Sequence, residues 1–148
     1  MSEVRLQRRG PLDDESRHPM LEAAQPAGIA VVHGARPTPA SARIELSIGP
    51  DRWLLVSEET PVTDGADLGH GLVRIRVSGP SASELLASGT SVDLDPSVFG
   101  EGAATATAYR GVPIVVHASA AGTMDVYCPR SYAVSLWEWL TDAADGLP

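Results

Sequence analysis

Polar and apolar residues alternate along Arg43-Ile44-Glu45-Leu46-Ser47-Ile48, the period of a half-buried strand. Gly49-Pro50-Asp51 is turn chemistry, and Trp53-Leu54-Leu55-Val56 continues as a second strand, so the two predict a hairpin. A loop rich in Gly, Asp, Thr and Pro spans residues 58 to 70. Alternation then returns in Leu72-Val73-Arg74-Ile75-Arg76-Val77 and stops at Ser78-Gly79-Pro80. Ser81 and Glu84 have capping-box spacing before Leu85-Leu86, with Gly89 as the stop of a short helix. Asp95-Pro96 places an N-cap residue before a proline and predicts one helical turn to Phe99. Strands follow at Thr105 to Tyr109, Val112 to His117 and Met124 to Cys128. Ser131 is the expected cap of a final helix from Tyr132 to Ala144. Its apolar face holds Ala133, Leu136, Trp137, Leu140, Ala143 and Ala144, with Tyr132 and Trp139 on the shoulder.

The resulting order predicts an α+β domain, an antiparallel or mixed sheet with two main helices packed on it. Residues 42 to 148 form that domain. Residues 1 to 41 read differently: Pro11, Pro19, Pro26, Pro37 and Pro39 interrupt every possible helix, and Ile29-Ala30-Val31-Val32 is the only apolar run. This stretch is expected to be an extended or disordered arm, either a free terminus or a segment that orders against a partner.

Composition narrows the chemistry. At 148 residues the chain is one domain, long enough to bury roughly 70 % of its unfolded surface without a disulfide. Cys128 is the lone cysteine, which excludes an internal disulfide and Cys-rich zinc frameworks and fits a reducing compartment, the cytoplasm. The net charge is −8 and every basic residue except histidine is arginine, so Schiff-base and P-loop lysine chemistry are out. Acidic charge of this size is repelled by phosphate backbones and anionic lipid, so neither nucleic acid nor membrane is an expected partner. No run approaches the ~20 apolar residues that span a bilayer.

Candidate catalytic groups do not pair. His18, His33, His70 and His117 lack the i+3 to i+5 spacing of a zinc site, and no G-x-S-x-G elbow is present. Gly100-Glu101-Gly102 precedes a strand where a phosphate loop needs a helix. Asp64, Asp67, Asp93, Asp95, Glu101 and Asp125 read as solvated acids. Attention falls instead on Arg130, Tyr132 and Trp139 at the last helix, with Trp53 on the hairpin, residue types enriched in interface hot spots. These are the candidate interface residues; no catalytic, cofactor-binding or metal residue is assigned.

Three stretches carry a family resemblance. They are Gly49-Pro50-Asp51-Arg52-Trp53-Leu54-Leu55-Val56; Val77-Ser78-Gly79-Pro80-Ser81 through Leu85-Leu86-Ala87-Ser88-Gly89 to Val92-Asp93-Leu94-Asp95 and Phe99; and Val126-Tyr127-Cys128-Pro129-Arg130-Ser131-Tyr132-Ala133 leading into Leu136-Trp137-Glu138-Trp139-Leu140. In this order they resemble the gamma subunits of bacterial heterotetrameric sarcosine oxidases. The resemblance implies a fold related to part of the glycine-cleavage T-protein (aminomethyltransferase). It also implies assembly with an alpha subunit binding NAD and tetrahydrofolate, a beta subunit carrying FAD and FMN, and a zinc-bearing delta subunit. Such a complex demethylates sarcosine or a similar N-methyl amine to glycine, with formaldehyde or methylene-tetrahydrofolate and hydrogen peroxide as the other products. Catalysis then belongs to the other subunits. A stand-alone folate or small-molecule module of T-protein-like fold is the alternative, and an independent hydrolase is a third reading.

Overall fold

The computed structural model describes residues 11–12, 18–40, 43–62, 65–67 and 71–147. The described strands are β1 (Leu21–Ala23), β2 (Gly28–His33), β3 (Arg43–Gly49), β4 (Arg52–Ser57), β5 (Ala66–Asp67), β6 (Leu72–Ser78), β7 (Ala104–Tyr109), β8 (Val112–Ala120) and β9 (Thr123–Pro129). Helix α1 (Ala82–Ala87) lies between β6 and β7, and α2 (Ala133–Asp145) closes the chain. The strands form two antiparallel sheets, one in the order β1-β6-β9-β8-β7 and one in the order β3-β4-β2-β5. The α+β class with two helices on a sheet is therefore what the chain adopts. The second sheet lies on the face away from the helices and makes three layers.

The helix-side layer is apolar because strand and helix periods agree on it. Val73, Ile75 and Val77 of β6, Val116 of β8 and Val126 of β9 point one way, and Leu136 and Leu140 of α2 pack onto them. Burial of each such side chain contributes about 1.5–3 kcal/mol. Just past the end of α1, residue 89 must be glycine because a Cβ there would run into the ring of Tyr109, whose hydroxyl meets Ser88 Oγ at 3.0 Å.

On the other face Ile29, Leu46, Ile48, Leu54 and Val56 pack against Tyr127, joining the two sheets. Ile29 belongs to β2, an inner strand of the second sheet between β4 and β5. The arm expectation is thus corrected for residues 18–40. Proline bars helices, but a strand needs only a few residues between prolines, and Pro26 falls in the connection between β1 and β2. The unbroken Ile29-Ala30-Val31-Val32 run is the pattern of an inner strand with both faces in use. Residues 1–10, 13–17 and 41–42 lie outside the described residues.

Two caps also differ. Ser81 makes no side-chain capping bond, and Ser131 sits inside a 3-10 turn, Arg130–Tyr132, that leads into α2. The turn is anchored by Arg130 N–H donating to Gly71 O at 2.9 Å. Asp95 behaves as anticipated, accepting from Ser97 N–H at 2.9 Å, and the turn through Phe99 closes on Asp95 O at 2.7 Å.

Candidate interaction surface and the charged layer

Three of the four candidate interface residues gather on the helix layer. Arg130 and Tyr132 form the turn at the start of α2. Tyr132 is 47 % exposed, and Val134 two residues on is also exposed, though less so. Trp139 follows two turns along α2, half-buried against the apolar core. Its ring carries the guanidinium of Arg110 at 5.8 Å from the centroid. Arg110 occupies the β7–β8 hairpin at φ 47°, a left-handed position next to Gly111. Sequence reading missed it because only the fold brings that hairpin to α2.

Trp53 lies elsewhere. Leu54 and Val56 point between the sheets, so by strand alternation Trp53 is on the outer face of the second sheet. There it neighbours Val32 and Ser47 across the strands and carries Arg36 at 5.6 Å from its ring centroid. The molecule thus presents two separate arginine–tryptophan stacks, one on each outer layer.

Between the sheets lies a charged layer that sequence reading did not foresee. Asp125, 2 % exposed, accepts from Arg76 Nε at 2.8 Å and from Arg76 Nη2 at 3.1 Å. Arg76, Asp125 and His117 are successive cross-strand partners on β6, β9 and β8. Arg74, 3 % exposed, pairs with Glu58 through both carboxylate oxygens, one at 2.7 Å, and also donates to Ala24 O. Its Nη1, which also bonds Glu58 Oε1, lies 4.0 Å from Asp125 Oδ2. Gln25 adds two bonds to β6, accepting from Arg74 N–H at 3.1 Å and donating to Leu72 O at 2.9 Å. Arg74 thereby ties β6 to the segment after β4 and to the β1–β2 connection.

The electrostatics follow from these contacts. The Arg74 hydrogen bond holds the Glu58 carboxyl below its usual value, against a smaller opposing effect of burial. Burial lowers the His117 pKa, partly offset by Asp125 and reinforced by Arg74 and Arg76. His117 Nδ1 has no hydrogen-bond partner among the described residues. Asp125, taken by Arg76, does not orient that imidazole, so the two do not form the base–orienter pair a hydrolase needs. Burial also raises the Tyr127 phenol, which lies by Arg74.

The remaining candidates scatter. Cys128 is fully buried and its thiol is pushed up to about 12 by burial, leaving no thiolate for chemistry near neutral pH. His18 meets Asp145 Oδ1 at 3.1 Å, fastening the chain start to the end of α2. His33 is exposed at the end of β2, while His70 and Asp64 lie outside the described residues. Among the described residues no three His, Cys, Asp or Glu side chains converge as a metal site. No helix among them is long and apolar enough to cross a bilayer. Gly100-Glu101-Gly102 precedes β7 and bends with Gly102 at φ 90°. Asp93, Asp95, Glu101 and Glu84 border a surface trough, a juxtaposition with no signal in the spacing of those residues.

The chain matches the model of the sarcosine oxidase, gamma subunit family over residues 21–146. It is 27% identical over 139 residues to the sarcosine oxidase subunit gamma of Corynebacterium sp. (strain U-96), covering 85% of this chain and 68% of that protein. Its fold is that of a chain in the heterotetrameric sarcosine oxidase from Corynebacterium sp. U-96 in complex with pyrrole 2-carboxylate. That likeness has a TM-score of 0.77 at 18% identity, over 92% of this chain and 94% of the other.

Proposed function

The chain belongs to the sarcosine oxidase gamma subunit family, and from that premise we propose that it is the non-catalytic gamma subunit of a heterotetrameric, flavin-dependent oxidase. The complex oxidatively demethylates sarcosine or a related N-methyl amine to glycine, with formaldehyde or methylene-tetrahydrofolate and hydrogen peroxide as the other products. Alpha, beta and delta subunits are its partners, and they hold the FAD, FMN, NAD, tetrahydrofolate and zinc in the cytoplasm.

The observation that carries this reading is the family match from the first strand to the end of α2, together with a fold shared over nearly the whole of a chain from such a heterotetramer. The use made of the polar interior supports a scaffold role. Arg76 with Asp125 and Arg74 with Glu58 spend their charges on joining strands and layers. On this reading Arg130, Tyr132 and Trp139 meet one partner surface from the helix layer, and Trp53 meets another from the second sheet. Two contact points on opposite layers suit a subunit wedged between larger ones.

The test is a tagged pull-down of the chain from its host, with an absorbance spectrum and intact masses of the eluate. Yellow material with large flavin-bearing partners is the expected result. A colourless monodisperse monomer that binds folate unaided would replace the subunit reading with a stand-alone folate module.

A further inference from the structure

A trough runs across the surface from the end of the five-stranded sheet to α1. Its inner part is a cavity of about 200 Å³ with Ala82, Phe99, Ala118 and Met124 in its walls. The outer part, about 430 Å³, passes Ala87 and Val92. Pro80, Ser83 and Pro96 line both parts, which makes the trough continuous. Val98, in the same turn as Pro96, is 67 % exposed, more than any other large apolar residue described.

The rim of the trough is acidic. Glu84, Asp93, Asp95 and Glu101 border it, all four are exposed, and among the described residues no arginine or histidine lines either part. None of the four has an ion-pair partner among the described residues. Asp93 uses one oxygen to accept from Asp95 N–H at 3.0 Å, and Asp95 uses one to accept from Ser97 N–H and Oγ–H. The second oxygen of each makes no hydrogen bond within the described chain. Three other carboxylates, Asp125, Glu58 and Glu45, each hold an arginine.

We propose that this trough docks a cationic segment of another subunit of the assembly, an arginine- or lysine-bearing stretch with an apolar residue that enters the inner cavity. The inference rests on the subunit reading and adds the chemistry of the partner. Four unpaired acids on a chain of net charge −8 repel one another until cations reach them. An apolar floor suits the methylene stems of arginine and lysine, whose heads then meet the carboxylates at the rim. A second copy of this chain would bring the same acidic excess, so a different polypeptide is the fitting occupant.

The test uses the co-purified assembly and the triple variant Glu84→Gln, Asp93→Asn, Glu101→Gln, which keeps the side-chain shapes and leaves the Asp95 turn intact. Partner retention at about 0.1 M salt should weaken roughly tenfold and lose part of its salt dependence. Carbodiimide coupling of the wild-type assembly adds a direct reading. This chain has no lysine, so any bond from these carboxylates to a lysine reaches another polypeptide. Such a bond supports the proposal. Unchanged retention with unchanged salt dependence overturns it, as does coupling of the four carboxylates to this chain's own terminal amine. A wild-type chain that captures no partner removes the subunit reading itself, whereas a variant that assembles like wild type removes only the docking site.

Discussion

On one face of the five-stranded sheet, Val73, Ile75 and Val77 meet Leu136 and Leu140 with no charged group between them. On the other face the same strand β6 offers Arg74 and Arg76, which find Glu58 and Asp125. Both faces are covered, yet by different physics. The helix side is held by apolar area, which is non-directional and tolerates small shifts. The inter-sheet side combines an apolar patch around Tyr127 with charges whose burial is favourable only while every partner stays in place. Buried apolar area holds one side of the sheet, and the geometry of paired charges helps to hold the other.

The largest expected effect comes from cutting the apolar side. Leu140→Ala, at a fully buried position, should cost about 2–5 kcal/mol in denaturant unfolding. A loss under about 1 kcal/mol would mean that α2 is not the main clamp on that sheet face. Next, Asp125→Ala strands Arg76 and removes the acid beside Arg74. The expected loss is about 3 kcal/mol, at the low end for a broken buried pair because Arg76 reaches solvent. If Asp125→Ala proved neutral while Leu140→Ala did not, the inter-sheet charges would be ornament and the contrast between the faces would fail.

The pH response sharpens the contrast further. The folded-state pKa of His117 lies below its unfolded value of about 6.5, so the unfolded chain binds the proton more readily. Its contribution is complete above that unfolded value and is lost as pH falls through the folded pKa. Wild type should therefore lose stability on acidification below about pH 6.5, and His117→Gln should show a shallower slope, by up to one proton. Identical slopes in the two proteins would place His117 outside the titrating set. The smallest effect is on Cys128, set in the helix-side layer with its thiol pushed up to about 12. Folded protein should not react with a thiol reagent at neutral pH, and unfolding should release one equivalent. Rapid labelling of the native chain would show that the apolar face opens.

Much of the helix-side layer is legible in the residue pattern. The alternation of β6 and the 3.6-residue stripe of α2 each mark their buried positions, and the two stripes must meet. The charged layer was hidden by the same rule. In Leu72-Val73-Arg74-Ile75-Arg76-Val77 the arginines occupy the polar half of an alternating strand, which reads as a solvated face. They are enclosed because a second sheet covers them, and part of that sheet comes from residues 18–40, a stretch whose prolines conceal β1 and β2. The candidate interface divides in the same way. Arg130 and Tyr132, in the turn before α2, and Trp139 on it are close in sequence and legible together. Arg110, the Trp53–Arg36 stack and the acidic trough arise from residues far apart in sequence.

Local pattern was enough for the α+β class, the edges of most strands, both helices and the family to which the chain belongs. All of these rest on local periodicity, turn residues and ordered short motifs. That the polar face of β6 is interior, that Asp125 serves Arg76 rather than His117, and that four acids border one trough emerge only in the packed fold. Those outcomes depend on which distant segments pack together, and chain entropy and burial settle that globally, beyond the reach of any local pattern.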